Sequence, residues 1–364
     1  MLTSIILLMV VSSCRKDEED ILWQKSFVAG TGSYLMATPD SGIISCGESG
    51  GAPYLIKIDK TKQTVFEYES ERSGRFSSAW SHGKVSMAAG SAGRNMLLAR
   101  IDEYGNKVWD TVFTTSYAVD RSSLCYLGNG DFLAVGSADP DSASASSSGL
   151  LCVWFDTTGT VSDFREIVEP GFLAANEAVT DANGNIFLAA TRLATGYKTK
   201  ASVVKYSPLL QKIWEEELYN NPNFGAASLS LRLDNTGSIY VTGKTELEVS
   251  TGIQDNTFVA LVGPSGTTTW KDYLEYANEG SFVITDDPGQ PIVLNRNCLI
   301  INSINKEDGS VSEIIRTFKE CDSQNTDAYG YCMDFDYQGN LVIAGSKGGR
   351  FYMVMKSPLS VSPV

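Results

Sequence analysis

Histidine is almost absent from this 364-residue chain, which removes most metal sites and much acid–base chemistry. The single histidine, His82, can build neither a two-histidine metal site nor a multi-histidine zinc cluster. It stands directly before Gly83 in a turn, where we expect a solvated side chain. The nucleophile elbow G-x-S-x-G, the zinc motif H-E-x-x-H and the P-loop are also missing. The sequence therefore predicts no metal, no cofactor and no identifiable catalytic residue.

Basic residues are few, with 29 Lys and Arg against 43 Asp and Glu, and the net charge is −14. Nucleic-acid binding needs clustered Lys and Arg to displace counterions from phosphates, so we predict no nucleic-acid partner. The acidic balance favours solubility but identifies no ligand. A hydrophobic content of 43% and a charged content of 20% are typical of a globular protein.

Cysteine pairs at metal-binding or redox spacing are lacking, because none of the seven cysteines belongs to a C-x-x-C motif. Apart from Cys14, most lie in apolar runs, where a thiol behaves as a small hydrophobic group. We expect buried thiols at Cys46, Cys125, Cys152, Cys298, Cys321 and Cys332. A disulfide stays open as the alternative for Cys321 and Cys332, which flank one inter-strand connection.

Long amphipathic helical patterns are also lacking, and short apolar runs bounded by Gly, Asp, Asn, Ser and Pro take their place. Such runs predict strands, so the fold should be all-β. The runs also repeat: a turn leads into an apolar strand that usually ends in a small or polar pair. Five of the copies read IISCGES, FLAVGS, IFLAAT, IYVTGK and LVIAGS.

The repeat occurs about seven times, and its turn glycines stand 41 to 54 residues apart. They are Gly42, Gly83, Gly130, Gly184, Gly237, Gly289 and Gly339. This spacing suits the four-stranded blades of a β-propeller. The seventh copy ends after its third strand, whereas ILWQKSF at residues 21–27 has a fourth-strand pattern with Trp23 in the matching place. We predict a seven-bladed β-propeller over residues 21–360, with the last blade closed by the N-terminal strand so that no sheet edge stays open.

Two recurring features of the repeat have structural explanations. The Asp-rich turns, such as Asp102 to Asn106, suit tight hairpins with Asx hydrogen bonds. A calcium loop would need a Glu at its twelfth position, which is Phe113 counted from Asp102. The tryptophans of the fourth strands recur at one structural position, so we expect them to pack between blades. They are Trp109, Trp214 and Trp270.

The N-terminal residues predict export and lipidation. Ile5 to Val11 form an apolar run that is too short to span a bilayer but has the length of a signal-peptide core. The following Val11-Ser12-Ser13-Cys14 resembles the bacterial lipobox. This resemblance implies that residues 1–13 are a signal peptide and that Cys14 becomes acylated, which would give a stable membrane anchor.

Residues 14–20 form a charged, mainly acidic tether that begins Cys14-Arg15-Lys16. It resembles the export signal on surface lipoproteins of Bacteroidetes-type bacteria, and the chain as a whole resembles their lipoproteins with degenerate propeller repeats. The resemblance implies an outer-membrane lipoprotein, exposed at the cell surface or otherwise on the periplasmic face.

Loop lengths predict which face of the ring is functional. The short first-to-second and third-to-fourth connections of each blade share one face, here the short-turn face. The second-to-third and blade-to-blade connections share the other, the long-loop face, and include Glu246 to Asn256. Long loops on a rigid scaffold tend to carry binding residues, although the aromatic ones could instead pack between blades. The candidates for ligand binding are Tyr117, Arg121, Tyr219, Phe224, Tyr276, Tyr329, Arg94 and Arg350.

Aromatic rings with polar neighbours suit sugar or peptide recognition, so we interpret the chain as a binding or scaffold propeller for a glycan or protein ligand. Two alternatives stay open: an exported glycoside hydrolase or lyase, and a structural lipoprotein of outer-membrane assembly. A central pocket with paired carboxylates of shifted pKa would favour the enzyme. A broad aromatic surface would favour binding, and a flat apolar side patch would favour assembly.

Overall fold

The computed structural model describes residues 21–114, 118–137, 147–194, 198–221, 223–249, 252–274, 280–285, 289–295, 300–316 and 328–356, which contain strands and no helix. The strands are β1 Ile21–Ala37, β2 Ile43–Ser49, β3 Ala52–Ile58, β4 Thr64–Glu69, β5 Gly74–His82, β6 Val85–Ala92, β7 Asn95–Ile101, β8 Lys107–Phe113, β9 Arg121–Gly128, β10 Asp131–Ser137, β11 Ser147–Asp156, β12 Val161–Pro170, β13 Phe172–Thr180, β14 Ile186–Leu193, β15 Thr199–Tyr206, β16 Lys212–Tyr219, β17 Ala226–Leu233, β18 Ile239–Val249, β19 Gly252–Val262, β20 Thr268–Leu274, β21 Gly280–Thr285, β22 Pro291–Asn295, β23 Ile300–Ile304, β24 Val311–Arg316, β25 Ala328–Phe335, β26 Leu341–Lys347 and β27 Arg350–Lys356. In this part of the chain no helix could cross a membrane. The predicted all-β class is confirmed.

The strands form antiparallel sheets of consecutive strands. Five sheets have four strands each: β5–β8, β9–β12, β13–β16, β17–β20 and β21–β24. The sixth has seven strands, in the order β25-β26-β27-β1-β2-β3-β4. Strand β1 is long enough to serve two partners, because Ile21 to Ala29 pair with β27 while Gly30 to Ala37 pair with β2. The predicted pairing of the N-terminal segment with the last strand is therefore present.

The first strands of the sheets surround a common axis. Each strand contacts the next one in the series β1, β5, β9, β13, β17, β21 and β25, and β25 contacts β1. We call these seven the innermost strands. Since consecutive innermost strands touch and the series closes on itself, the sheets form a closed ring.

Burial follows position in the sheet. The second strands, such as β2 and β26, are buried along almost their whole length, which explains their continuous apolar runs. The fourth strand β12 instead alternates between exposed and half-buried residues, as expected for an outer strand with one face against its neighbour. The apolar repeats thus mark the middle of each sheet.

The turns on the short-turn face are held by Asx hydrogen bonds. Asp102 Oδ1 accepts from the backbone N–H of Tyr104 at 2.9 Å and of Asn106 at 2.8 Å. The side-chain amide of Asn106 donates to Oδ2 at 3.0 Å, and this bond, together with the backbone donors, lowers the pKa of Asp102. Asp336 repeats the arrangement with Gln338 and Asn340. The described residues contain no cluster of three or more His, Cys, Asp or Glu able to hold a metal ion. The interpretation of these segments as hairpin turns is confirmed.

The tryptophans of the fourth strands pack against a turn of the following sheet. A Cβ added to the turn glycine there would lie 3.0 Å from the Trp109 ring at Gly159 and 2.6 Å from the Trp214 ring at Gly266. The same holds for Trp270, whose indole N–H also donates to the carbonyl of Lys306 at 2.8 Å. Packing between sheets is confirmed for these three rings.

The cysteines within the described residues are buried free thiols: Cys46, Cys125, Cys152 and Cys332. Burial raises the pKa of Cys125 and Cys152 to about 12, so both stay protonated at neutral pH. Cys298 and Cys321 lie outside the described residues, as do residues 1–20, for which a signal peptide and a tether are predicted.

One predicted loop is wrong. The segment from Glu246 to Asn256, expected to be a long connection, continues β18 and β19, which stay paired as far as Val249 and Gly252. Its Glu, Asp, Asn and Thr residues resemble a loop in composition, but backbone pairing overrides that local preference. Other second-to-third connections are equally tight, as at Gly50-Gly51 and Gly348-Gly349. Long connections therefore occupy only parts of the long-loop face.

Candidate functional site: the axial cavity

A cavity of about 500 Å³ lies on the axis of the ring. All seven innermost strands contribute to its lining, from Ser33 and Tyr34 on β1 to Tyr331 on β25. The lining extends from Arg75 and Arg121, near the start of their strands on the long-loop face, along the strands towards Thr180 on the other side. The volume falls within the range of about 300 to 1,000 Å³ common for ligand sites.

A recurring β-bulge turns selected side chains towards this cavity. In six of the seven innermost strands an extra residue near the long-loop face interrupts the register with the second strand, whereas in β9 the interruption lies near the other end of the strand. The extra residues are Ser33, Ser77, Asn176, Leu229, Ser281 and Tyr331. A bulge redirects a side chain and breaks the in–out alternation. Ser33, Ser77, Asn176, Leu229 and Tyr331 accordingly line the cavity.

The bulge explains why glycine recurs near the end of the second strand. A Cβ on Gly47 would lie 1.9 Å from the carbonyl oxygen of Thr31, and one on Gly345 would lie 1.8 Å from that of Tyr329. Gly90 and Gly243 face the bulged strand in the same way, since a Cβ added to either would lie 2.0 Å from a carbonyl oxygen. Strand β9 has its bulge at Leu127 instead, away from the corresponding Gly136, where an added Cβ would meet the Met96 side chain. The small residue of the repeat therefore makes room for the distorted inner strand.

Side chains of one innermost strand satisfy the backbone of the next. The Ser77 hydroxyl accepts from the Ser122 N–H and donates to the Ser122 carbonyl, both at 2.8 Å. Ser123 Oγ accepts from the Ala178 N–H at 2.9 Å, and Ser230 Oγ accepts from the Val283 N–H at 3.2 Å. Because an unpaired N–H inside a protein is costly, these bonds join the sheets around the axis.

Charged side chains surround the cavity where the innermost strands begin. Arg75 and Arg121 line it together with Glu48 and Thr31, and we call these four residues the mouth. Asp120 pairs with the guanidinium of Arg75 and lies 4.0 Å from Nε of Arg121. Arg121 is exposed, whereas Arg75 is half-buried. The mouth can therefore donate several hydrogen bonds to an incoming polar group.

Deeper in the ring, two acidic side chains have raised pKa values. Burial raises the pKa of Glu177, opposed by the charge of Arg232 and by hydrogen bonds from the Ser230 hydroxyl at 2.7 Å and the Leu231 N–H at 2.9 Å. Burial likewise raises the pKa of Asp334, opposed by Arg232 and by two backbone N–H donors. Glu177 keeps some accessible surface because it lines the cavity, whereas Asp334 is absent from the lining.

Replacing Glu177 by Gln should remove part of the pH dependence of stability. The folded pKa of Glu177 exceeds its ordinary value of 4.5, so its contribution to stability is lost as pH rises through the folded pKa. The melting temperature of the wild type, measured relative to Glu177→Gln, should therefore fall from about pH 5 to about pH 8. The control Glu217→Gln should show no such fall over this pH range, because the hydrogen bond from Lys200 lowers the pKa of Glu217 and its contribution to stability is lost only as pH falls below the ordinary value of 4.5. Parallel curves for Glu177→Gln and the wild type would contradict this prediction.

The binding candidates chosen from sequence do not lie together in the structure. Among those within the described ranges, only Arg121 lines the cavity. Tyr219 packs between sheets, with its ring 4.7 Å from that of Phe258 and 5.0 Å from that of Tyr273. Phe224 and Tyr329 are half-buried, Arg94 and Arg350 are exposed, and a guanidinium N–H of Arg350 donates to the Phe27 carbonyl. Tyr117 and Tyr276 lie outside the described residues. A ligand-binding role for these residues stays a prediction.

Sequence reasoning missed most of the cavity lining, including Ser33, Asn176, Glu177 and Arg232. These residues belong to the first strands, whose polar character hid them between more regular apolar runs. A usable signal was present: pairs of adjacent polar residues, such as Ser77-Ser78 and Asn176-Glu177, lie opposite the recurring small residue. An adjacent polar pair breaks the strict alternation of a strand and indicates a bulge.

Comparison with known proteins gives no family by sequence. No family model matches the chain. The search among curated proteins also found no match.

Solved structures do share the architecture. The WD40 domain of Pan2 from Neurospora crassa has a TM-score of 0.62 at 12% identity, covering 91% of this chain and 90% of that one. The WD40 repeats of RRP9 have a TM-score of 0.61 at 12% identity, covering 93% and 98%. YCF48 bound to the D1 peptide has a TM-score of 0.58 at 11% identity, covering 93% and 95%. Identities this low establish the architecture alone: the ring of antiparallel sheets is a β-propeller.

Proposed function

We propose that the protein is an exported, lipid-anchored binding propeller of seven blades that engages a glycan or protein ligand at the mouth of its axial cavity. The blade count follows from dividing the seven-stranded sheet at β1, which completes one blade with β27 and begins the next with β2. Together with the five four-stranded sheets this gives seven blades, each with one innermost strand.

One observation carries the binding proposal: a cavity of ligand-site size reaches the long-loop face between two arginines. Arg121 is exposed there, and Arg75 is held in place by Asp120. A rigid ring that fixes such donors beside a cavity can orient a polar ligand at little entropic cost. The peptide bound to YCF48 is consistent with a propeller fold serving this purpose, although that resemblance concerns architecture alone.

The hydrolase or lyase alternative finds less support. The acidic residues lining the cavity within the described chain are Glu48 and Glu177. Glu48 lies opposite Thr31 in the β1–β2 register at the mouth. Glu177 belongs to the interior of β13, and its carboxylate accepts hydrogen bonds from the Ser230 hydroxyl and the Leu231 N–H. Asp334, the second acid of raised pKa, has both carboxylate oxygens bonded to backbone N–H groups of Ala37 and Phe335. These bonds give the two buried carboxyls a structural role.

The assembly alternative has one observation in its favour. The outer strand β12 exposes Val161, Phe164 and Val168 to between 41% and 50%. Charged residues such as Glu166 interrupt the series, so these side chains do not form a continuous apolar patch. Isolated exposed hydrophobic residues are common on soluble proteins and need no partner.

Binding at the mouth is tested with Arg121→Ala. The variant should retain the wild-type melting temperature, because its side chain is exposed, but lose at least about fivefold in affinity for any glycan or protein that the wild type retains. Glycan arrays and affinity capture identify the ligand, and Lys84→Ala on the short-turn face is the control. Loss of binding with Lys84→Ala but not with Arg121→Ala would place the ligand on the other face and refute the proposal.

Membrane anchoring is tested with Cys14→Ala. Without the acylated thiol the protein should move from the membrane fraction to the soluble fraction, since no other anchor is proposed. Metabolic labelling with a palmitate analogue should label the wild type and not the variant. Unchanged membrane fractionation together with unlabelled wild type would refute the lipoprotein assignment.

A further inference from the structure

Five polar residues lie together in the interior of the axial cavity: Ser33, Tyr34, Asn176, Glu177 and Arg232. They come from β1, β13 and β17, and Ser33 and Asn176 are bulge residues. We call them the inner site. None of them belongs to the mouth, and none was a candidate from sequence.

The inner site has unused hydrogen-bonding groups. The guanidinium of Arg232 makes no hydrogen bond and no ion pair with any residue that the structure describes. Within the same described ranges the hydroxyls of Ser33 and Tyr34 also lack a partner. Glu177 accepts its two bonds through Oε2, which leaves Oε1 open. Polar groups inside proteins are normally paired, so these donors and acceptors call for a polar molecule between them.

The charges around the inner site nearly cancel. Burial raises the pKa of both Glu177 and Asp334, and the positive charge of Arg232 is the largest opposing influence on each. An anionic ligand near Arg232 would therefore approach two carboxyl groups, and a cationic ligand near Glu177 would approach the guanidinium. A neutral group that both donates and accepts avoids either repulsion, and a hydroxyl does both.

The inner site also offers apolar surface. The Phe282 ring lies beneath Arg232, with the guanidinium carbon 5.9 Å from its centroid, and Leu229 lines the cavity beside it. Sugar rings combine hydroxyls at their edges with C–H groups on their faces. A cavity of about 500 Å³ with polar groups at fixed positions and an apolar wall matches both properties.

We propose that the inner site binds one ring of a neutral sugar, with Arg232 and Tyr34 donating to hydroxyl oxygens and Glu177 accepting from a hydroxyl group. This inference rests on the proposed binding function and specifies its ligand class: the glycan presents a terminal neutral sugar that enters through the mouth. The bulges at Ser33 and Asn176 have the role of directing polar side chains to that ring.

Saturation-transfer NMR with glucose, galactose, mannose, fucose and N-acetylglucosamine tests the proposal, with glucuronate and galacturonate as charged counterparts. We expect at least one neutral sugar to bind more tightly than either uronate. Tyr34→Phe removes only a hydroxyl without a partner in the described chain, so its melting temperature should not fall while Kd for that sugar rises at least about fivefold. Arg232→Gln should raise Kd at least about tenfold.

The control is Arg72→Gln, which breaks an exposed ion pair with Asp110 on the outside of the ring and should leave Kd unchanged. Absence of binding by every neutral sugar at millimolar concentration would overturn the inference, as would a preference for the uronates. So would unchanged affinity in Tyr34→Phe, which remains informative even if Arg232→Gln fails to fold. A ligand lost with Arg121→Ala but retained by both inner-site variants would overturn the inference and leave the proposed function standing.

Discussion

Deletion of residues 21–29 is expected to abolish cooperative folding of the ring. These residues form the half of β1 that pairs with β27, and their loss would leave β27 with an open edge. Phe27 is 7% exposed and packs edge-on against Phe351, with ring centroids 5.7 Å apart. Tyr352 donates a hydrogen bond to Gln24 at 2.5 Å. Removing a buried Phe alone costs about 3 to 5 kcal/mol, and the whole net stability of a protein is about 5 to 15 kcal/mol.

Circular dichroism and calorimetry should show a broad transition or none, and size-exclusion chromatography should show association through the open edge. Two point variants on β1 distinguish the loss of a packed side chain from the loss of an exposed one. Phe27→Ala should lower stability by about 3 kcal/mol or more, whereas Leu22→Ala, at a side chain 55% exposed, should change it by less than about 0.5 kcal/mol. A deletion variant with the wild-type melting temperature would show that the ring does not need β1 for closure.

Gly345→Ala is expected to be the most destabilising single-methyl change in the second strands. The added Cβ would stand 1.8 Å from the Tyr329 carbonyl oxygen, 2.8 Å from its carbon and 3.0 Å from the Gly330 Cα. All three atoms are backbone, so no side chain can rotate away and the bulge at Tyr331 must shift. Overpacking of this kind costs about 1 to 3 kcal/mol and occasionally more, and we expect the upper end.

Gly263→Ala provides the matched control, because its added Cβ would lie at an ordinary 3.5 Å from the nearest atom. Its stability should stay within about 0.5 kcal/mol of the wild type. Urea unfolding measures both variants against the same baseline. Equal midpoints for the two variants would mean that the inner strands are not bulged as described, and the explanation of the recurring glycine would fall with them.

The repeat allowed much of the fold to be predicted. Continuous apolar runs such as those of β2 and β26 mark strands buried on both faces, and Asp-rich turns such as that at Asp102 mark the hairpins between strands. Both signals are local: the first depends on burial of successive residues, the second on hydrogen bonds spanning four residues. The pairing of the strand around Trp23 with the last strand could be predicted because the missing element and its pattern were both visible in the sequence.

The cavity could not be predicted in the same way. Ser33, Glu177 and Arg232 are 55 or more residues apart in sequence and meet only because the ring brings β1, β13 and β17 around one axis. Tyr219 illustrates the opposite error: an aromatic residue before a loop suggested a ligand surface, yet its ring fills space between β16, β19 and β20. Local composition cannot distinguish an aromatic ring exposed on a loop from one buried between sheets.

The sequence by itself determined the all-β class, the hairpin turns, the small residues of the second strands and the N-terminal strand that pairs with β27. Each of these depends on residues close in sequence or on a repeat that can be counted. Only the tertiary structure decided that the inner strands are bulged, that serine and carboxyl side chains join one sheet to the next, and that the Arg232 side chain lies beside a cavity without a partner among the described residues. Those features arise from contacts between residues 45 or more positions apart, which no local pattern specifies.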